Sequence, residues 1–340
     1  MKRYSIWFEA KEQAALRSEE LPCTLSGKQV LVKADYSLIS AGTELANYHA
    51  LPNTSIEGYP CTYPRSVGYS GSGHVVAVGP EAAKLKVGDR VAVVWSGHKS
   101  HFIQDEDFNL YKLPDAVDLK SAAFTHVASF PLLGVRKLQI QLGEAVMVAG
   151  LGLLGVIAVQ AAKLSGAYPV LACDFSAERR KLALELGADH ALDPREADFI
   201  EKVRALTDGK GPAATVEVTG TLPGLQQALE YTAFMGRISI LGCTRISDQP
   251  INVYRYIHGK GLHIIGAHTR SRPPHDSQVG SWTAEDDYRT FFKLVSAGAM
   301  KVLPLINFTA SPRDAEKVYH KIGFSKDPVL GVLFDWQNIE

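Results

Sequence analysis

Val146-Met147-Val148-Ala149-Gly150-Leu151-Gly152-Leu153-Leu154-Gly155-Val156-Ile157-Ala158-Val159 starts as a short β-branched run, turns through three spaced glycines and leaves with helical apolar spacing. This is G-x-G-x-x-G in the strand–turn–helix setting that gives the pattern meaning. The first glycine permits the tight turn, the second lets the backbone approach a pyrophosphate, and the third lets helix and strand pack closely. The helix N-terminus adds free N–H groups and a positive dipole end for the phosphates. A second apolar run, Val170-Leu171-Ala172-Cys173, ends on Asp174, nineteen residues past Gly155. An acid there bonds the ribose 2′- and 3′-hydroxyls and repels a 2′-phosphate, so the expected ligand is NAD(H) rather than NADP(H). Arg179 and Arg180 follow and read as a solvated helix face. The expected dinucleotide contacts are Gly150, Gly152, Leu153, Leu154, Gly155 and Asp174, with Thr219, Gly242, Cys243, Gly266 and Ala267.

Outward from this stretch, apolar strands alternate with helical segments from 145 to 268. The spacing predicts strands at Ala145–Ala149, Pro169–Cys173, Ala213–Val218, Arg237–Leu241 and Leu262–Gly266. Helices are expected at Leu154–Ser165, Ala177–Leu186, Ala197–Leu206 and Leu222–Thr232. That alternation is the mark of an α/β, doubly wound parallel sheet of the Rossmann type. Residues 1–120 have another texture. Short β-branched runs at Val30–Ala34, Gly73–Val78 and Arg90–Val94 are punctuated by Gly79-Pro80 and Gly88-Asp89. After a further helix at 284–297, Val329–Phe334 returns to strand character. Arg270–Gly280, with Pro273 and Pro274, reads as a mobile loop.

With 340 residues, two domains are the natural expectation. Lys plus Arg and Asp plus Glu are both 36, and such a balance gives nucleic acid no basic surface to bind. Hydrophobic residues at 46% supply two cores, yet no apolar run approaches the roughly 20 residues of a membrane span. Lys2 and Arg3 are followed by no apolar run, so no signal peptide is expected and the expected location is the cytoplasm. Cys23, Cys61, Cys173 and Cys243 are too few for a disulfide scaffold and too far apart for a C-x-x-C knuckle.

The whole chain resembles the medium-chain dehydrogenase/reductase superfamily of the zinc alcohol dehydrogenase type. Residues 65–91, from Arg65-Ser66-Val67-Gly68-Tyr69-Ser70-Gly71 through Gly88-Asp89-Arg90-Val91, look like its G-H-E…G-D-R-V segment. Leu186-Gly187-Ala188-Asp189 matches its L-G-A-D stretch. The resemblance implies a Rossmann domain (121–268) inserted into a β-rich, chaperonin-10-like (GroES-like) catalytic domain made of 1–120 and 269–340. It also implies three zinc ligands, and here the chain departs. Aligned on Gly42-Thr43-Glu44, the first ligand position is Ala41, the second is Tyr69 and the third is His126. A catalytic zinc needs three protein ligands and an open position, so no zinc is expected. The four-cysteine lobe of the family is also missing between Trp95 and His101, although His98, His101 and His126 leave another metal site open.

Without the metal, another group must stabilise charge on the substrate oxygen. The candidates are Thr43, at the family's relay hydroxyl, Tyr69, His126 and His98, with Lys99 beside it. A Tyr–His pair is suited to polarising an oxygen and moving a proton. Ser40-Ala41-Gly42-Thr43-Glu44, with Tyr after Gly68, also looks like bacteriochlorophyllide dehydrogenases, family members without the usual ligands. Tyr48, Trp95, His98, His126 and Arg270 form an expected pocket whose aromatic and polar mixture suits a polyhydroxylated or carboxylated molecule better than a plain alkyl alcohol. The leading expectation is a zinc-independent NAD(H)-dependent oxidoreductase acting on a secondary alcohol or ketone. A zinc-free quinone or enoyl reductase is a second reading, and a non-catalytic NAD(H)-binding protein a third. The apolar run Leu262–Gly266 at a sheet edge predicts a homodimer.

Overall fold

Val146–Ala149 sits inside a six-stranded parallel sheet with its neighbours Val170–Cys173 and Ala214–Glu217 on either side. The full order is His190–Leu192, Val170–Cys173, Val146–Ala149, Ala214–Glu217, Arg237–Ile240, His263–Gly266. The chain winds outward one way from Val146–Ala149 and then the other, so the strand order reverses beside that strand. In such sheets ligands bind at this reversal, outside the carboxyl ends of the strands. The helices Leu153–Leu164, Ala177–Glu185, Phe199–Ala205 and Leu222–Tyr231 connect the strands, all close to their expected positions. Buried Met147, Leu171, Phe199, Val203, Leu229, Tyr231 and Ile238 make one core of this sheet. Among the strands of this sheet, His190–Leu192 is the one outside the expected set, and the helices Thr125–Lys137 and Tyr254–Gly259 are further unexpected elements. His190–Leu192 is a three-residue edge strand of half-buried residues, too short to show a period.

In this computed structural model residues 1–22, 24–55, 57–325 and 329–339 are described, and Cys23 lies outside them. The chain divides into two compact units. One is Met1–Val127 with Phe292–Gly298 and Val302–Glu340, and the other is Ala128–Phe291 with Ala299–Lys301. The sequence placed these crossings at 120 and 268. The later second crossing keeps residues 269–291 with the nucleotide-binding sheet. Arg270–Gly280 is accordingly tied down there. Arg272 is buried, pairs with Asp287 at 2.7 Å and donates to the Ser129 carbonyl at 3.1 Å. Burial pushes Asp287 up to about 6 against the pull of Arg272 and Arg136.

The first unit is β-rich. Gln29–Leu38 is its spine, antiparallel to Ser70–Val78, His101–Asp105 and the C-terminal Gly331–Asp335. Arg90–Val94 extends the sheet from Ser70–Val78. A hairpin of Lys2–Ala10 and Gln13–Glu20 adds a smaller sheet. Inward-facing Phe8, Val30, Val32, Tyr48, Val75, Tyr319, Phe334 and Trp336 pack as its core. No helix among the described residues is long and apolar enough to cross a membrane.

Candidate active site

The candidate nucleotide-binding turn, in the unit Ala128–Phe291, is made of backbone. Gly150 has a φ of +92°, open to glycine and costly for other residues. At Gly155 a Cβ would lie 1.9 Å from the Gly150 carbonyl oxygen, so only glycine lets the helix start this close to the strand. Gly152, the N-cap of the twelve-residue helix Leu153–Leu164, faces open space where a Cβ would be. The glycines therefore leave a cradle at the helix N-terminus, and the cradle fits a pyrophosphate. Leu153 and Leu154 are the helix's first two residues. Asp174 follows the second strand and accepts from the Leu151 N–H at 2.8 Å and the Ser176 N–H at 2.9 Å. These bonds fix the carboxylate against the fingerprint turn. Arg179 lies 3.7 Å from Asp174, whereas Arg180 is spent on the Asp174 carbonyl and on Asp193. Thr219, Gly242 with Cys243, and Gly266 with Ala267 follow or end the strands Ala214–Glu217, Arg237–Ile240 and His263–Gly266, all at their carboxyl ends.

Glu217 ends the strand beside the fingerprint and was not singled out by its sequence. It has no exposure to solvent, burial pushes its carboxyl up, and Oε1 accepts from the Thr219 N–H at 2.8 Å.

The β-rich unit, taken by itself, gathers another group of polar and aromatic side chains. Tyr69 donates its phenolic O–H to Ser40 Oγ. The His126 ring meets the Tyr69 ring edge-on, with centroids 5.3 Å apart, and the Trp95 ring at 4.6 Å. Trp95 also leans on Tyr69 at 5.5 Å. His126 begins in a buried backbone turn. Its N–H donates to Ser70 Oγ at 3.2 Å, and Ser70 Oγ donates to the Ala123 carbonyl at 2.6 Å. Tyr69, His126 and Trp95 thus come together, and Ser40, which the sequence did not single out, joins them. Thr43 is half-buried one turn into the helix Ala41–Tyr48. The hydroxyl that Tyr69 donates to is Ser40's, not Thr43's.

His98 occupies another environment from the one expected. Its ring has 0% exposure, with Nδ1 2.7 Å from Ser37 Oγ and Nε2 3.0 Å from Glu44. Trp336 Nε1–H donates to the same Ser37 Oγ at 2.8 Å. Glu44 accepts from Tyr319 Oη at 2.5 Å and, through its other oxygen, from the Ser40 N–H at 2.8 Å. One assignment satisfies every group: Trp336 to Ser37, Ser37 to Nδ1, and Nε2–H to the carboxylate. Both ring nitrogens of His98 are thus engaged within the fold, and Glu44 links the ring to the backbone of Ser40. Tyr48 leaves the expected pocket too. It is fully buried, stacks on Tyr319 and donates to the Glu12 carbonyl at 2.9 Å. Arg270 is exposed in the other unit. Burial, with Arg3 nearby, pushes the Lys99 ammonium down.

The family's zinc does not fit these residues. Ala41 has no donor atom, and the Tyr69 O–H is turned to Ser40. Among the described residues no three His, Cys, Asp or Glu side chains are grouped to hold a metal ion.

Comparison with known proteins agrees with this architecture. Residues 27–131 match the alcohol dehydrogenase GroES-like domain and residues 154–287 the zinc-binding dehydrogenase domain. The chain belongs to the medium-chain, zinc-type alcohol dehydrogenase superfamily and is an alcohol dehydrogenase-like oxidoreductase with a nicotinamide cofactor. It is 26% identical over 306 residues to D-guloside 3-dehydrogenase of Escherichia coli, covering 84% of this chain and 87% of that one. It is 27% identical over 269 residues to sorbitol dehydrogenase of Bacillus subtilis, covering 70% and 75%. A crystal structure of an Escherichia coli oxidoreductase/dehydrogenase of unknown specificity has the same fold, with a TM-score of 0.84, 20% identity and coverage of 98% and 99%.

Proposed function

We propose that the chain is a zinc-independent, NAD(H)-preferring oxidoreductase that interconverts a secondary alcohol and a ketone on a sugar-like molecule. The observation that carries this reading is the Tyr69–Ser40 hydrogen bond, beside His126, with Ala41 leaving the first ligand position without a donor atom. The nicotinamide cofactor supplies the hydride chemistry when its pyrophosphate is held at Gly150, Gly152 and Gly155 and its adenosine ribose at Asp174. In reduction, Tyr69 Oη turns its proton from Ser40 to the substrate oxygen as negative charge develops there. In oxidation the proton returns to Tyr69, and the Ser40 hydroxyl bonds the phenolate while it lasts. His126 is the second titratable group against the phenol and the one suited to exchange the proton onward. The two sugar and sugar-alcohol relatives support the substrate class, and Asp174 supports NAD(H).

The test joins metal content to turnover. The dialysed protein is expected to contain far less than one zinc per chain and to oxidise polyols or glycosides with NAD⁺ in the presence of a chelator. Stoichiometric zinc, or turnover lost to the chelator, overturns the reading. The same protein is expected to sediment as a homodimer, because the edge strand His263–Gly266 exposes His263, Ile264 and Gly266. A monomer at micromolar concentration refutes that part. A cytoplasmic setting suits the free thiols of Cys61, Cys173 and Cys243.

A further inference from the structure

Ser40 is the N-cap of the helix Ala41–Tyr48, yet its hydroxyl makes no capping bond. Ser176 and Ser311, N-caps elsewhere at ψ 122° and 139°, cap through theirs in the usual extended conformation. Ser40 sits at ψ 82° instead. Its carbonyl takes the Thr43 and Glu44 N–H groups at 3.1 and 2.8 Å, and its own N–H goes to Glu44 Oε1 at 2.8 Å. With the backbone held in this way, the hydroxyl is left to accept the Tyr69 O–H. Glu44 is itself firmly held. It is 2% exposed, and its Oε2 accepts from Tyr319 at 2.5 Å and from His98 Nε2 at 3.0 Å. Burial, with Glu44 beside it, pushes the Tyr319 phenol well above its ordinary value, so it stays a donor. The His98 ring reaches the other partner as well. At Gly68, with φ +87°, a Cβ would lie 2.5 Å from that ring, so only glycine lets the two meet. One buried group therefore bears on Ser40 through Glu44 and on the backbone just before Tyr69 through His98.

We propose that Glu44 is a positioning residue for proton transfer: by holding the backbone of Ser40, it keeps the Ser40 hydroxyl off the helix end and aimed at the Tyr69 phenol. This rests on the reading above, in which Tyr69 gives and takes the substrate's proton. A serine at an N-cap ordinarily gives its oxygen to the N–H groups of the first turn. With Glu44 shortened or removed, the Ser40 backbone is free to extend and its Oγ to turn to the N–H of Gly42 or Thr43. The phenolate then loses the hydroxyl that bonds it, and alcohol oxidation sets in only at higher pH. Glu44 gives and takes no proton in this, because it acts through Ser40. The titratable groups that face the pair are His126 at Tyr69, and His98 and Tyr319 at Glu44, and the test leaves all three unchanged.

The experiment follows kcat/KM against pH for oxidation, using the full chain, NAD⁺ and whichever of sorbitol and a panel of methyl glycosides turns over best. Ser40→Ala is expected to move the rising limb up by about one pH unit, the scale of one lost charge-assisted hydrogen bond, with NADH affinity unchanged. Glu44→Leu is expected to move the limb as far. Glu44→Asp keeps the buried charge but is one methylene too short to hold Ser40, His98 and Tyr319 together. It is expected to move the limb in the same direction, which decides the matter if Glu44→Leu does not fold. Combined with Ser40→Ala, either Glu44 variant is expected to add no further shift, because both act through one hydroxyl. A melting curve runs beside each profile. A Glu44 variant that lowers the melting temperature and leaves the limb in place overturns the proposal, and so does a shift that adds to that of Ser40→Ala. If Tyr69→Phe abolishes turnover while Ser40→Ala leaves the limb unmoved, the reading of Tyr69 stands and this inference falls. If Tyr69→Phe oxidises normally, both fall together.

Discussion

Gly150, Gly152 and Gly155 offer only backbone in one unit, whereas Ser40, Tyr69, Trp95 and His126 offer side chains in the other. The first group recognises phosphate with N–H groups whose positions are fixed once the turn and helix form. The second depends on four side chains from separate segments meeting at a point. The two groups therefore fail differently. A change in the cradle moves backbone and removes binding altogether. A change in the side-chain group removes one chemical capability and leaves binding intact.

Gly155→Val gives the largest expected effect. A Cβ that close to the Gly150 oxygen forces strand and helix apart, and NADH affinity is expected to fall by about a hundredfold or more, the cost of losing several charge-assisted contacts. Fluorescence titration checks it, and near-normal affinity breaks the comparison on the backbone side. Tyr69→Phe is expected to lower turnover by about a hundredfold, the scale of a lost general acid–base group, with NADH affinity unchanged. A matching loss of affinity in that variant breaks it on the other side.

Smaller effects sharpen the contrast. His98→Leu removes one buried hydrogen-bond partner each from Ser37 and Glu44 and is expected to cost about 1–3 kcal/mol of stability. A melting curve reads that loss directly, and turnover per folded molecule is expected to change far less than in Tyr69→Phe. Asp174→Ala is expected to narrow the preference for NADH over NADPH by about tenfold, near the 1.4 kcal/mol of one such contact. Parallel titrations of the two cofactors would show whether Arg179 takes over the ribose end.

The nucleotide-binding turn was legible because its backbone demands fix residue identity. Only glycine serves at positions 150 and 155, and Asp174 follows at a set distance. Tyr69 and His126 were reached by resemblance and the fold brings them together, but their partners were not legible. Ser40 carries no signal of its own, because alignment supplies a position and not the direction of a hydroxyl. His98 reads as part of an exposed loop. Its partners Ser37 and Glu44, and their own donors Trp336 and Tyr319, come from separate stretches of the chain, and only the fold gathers them. Tyr48 looks like a pocket aromatic until its contacts with Phe8 and Tyr319 place it in the core.

Gly331–Asp335 hydrogen-bonds to the end of Gln29–Leu38, pairing Leu333 with Leu38, Phe334 with Ser37 and Asp335 with Tyr36. On a ribosome adding about 5–20 residues per second, roughly 15–60 s separate the synthesis of those two strands. The intervening nucleotide-binding unit, Ala128–Phe291, emerges whole within that interval. The first sheet meanwhile waits with the Tyr36–Leu38 edge open, and Trp336, the donor to Ser37, is not yet made. Birth order thus runs opposite to the order of reading. The unit encoded in the middle is the first able to close, and the one that begins the chain is the last.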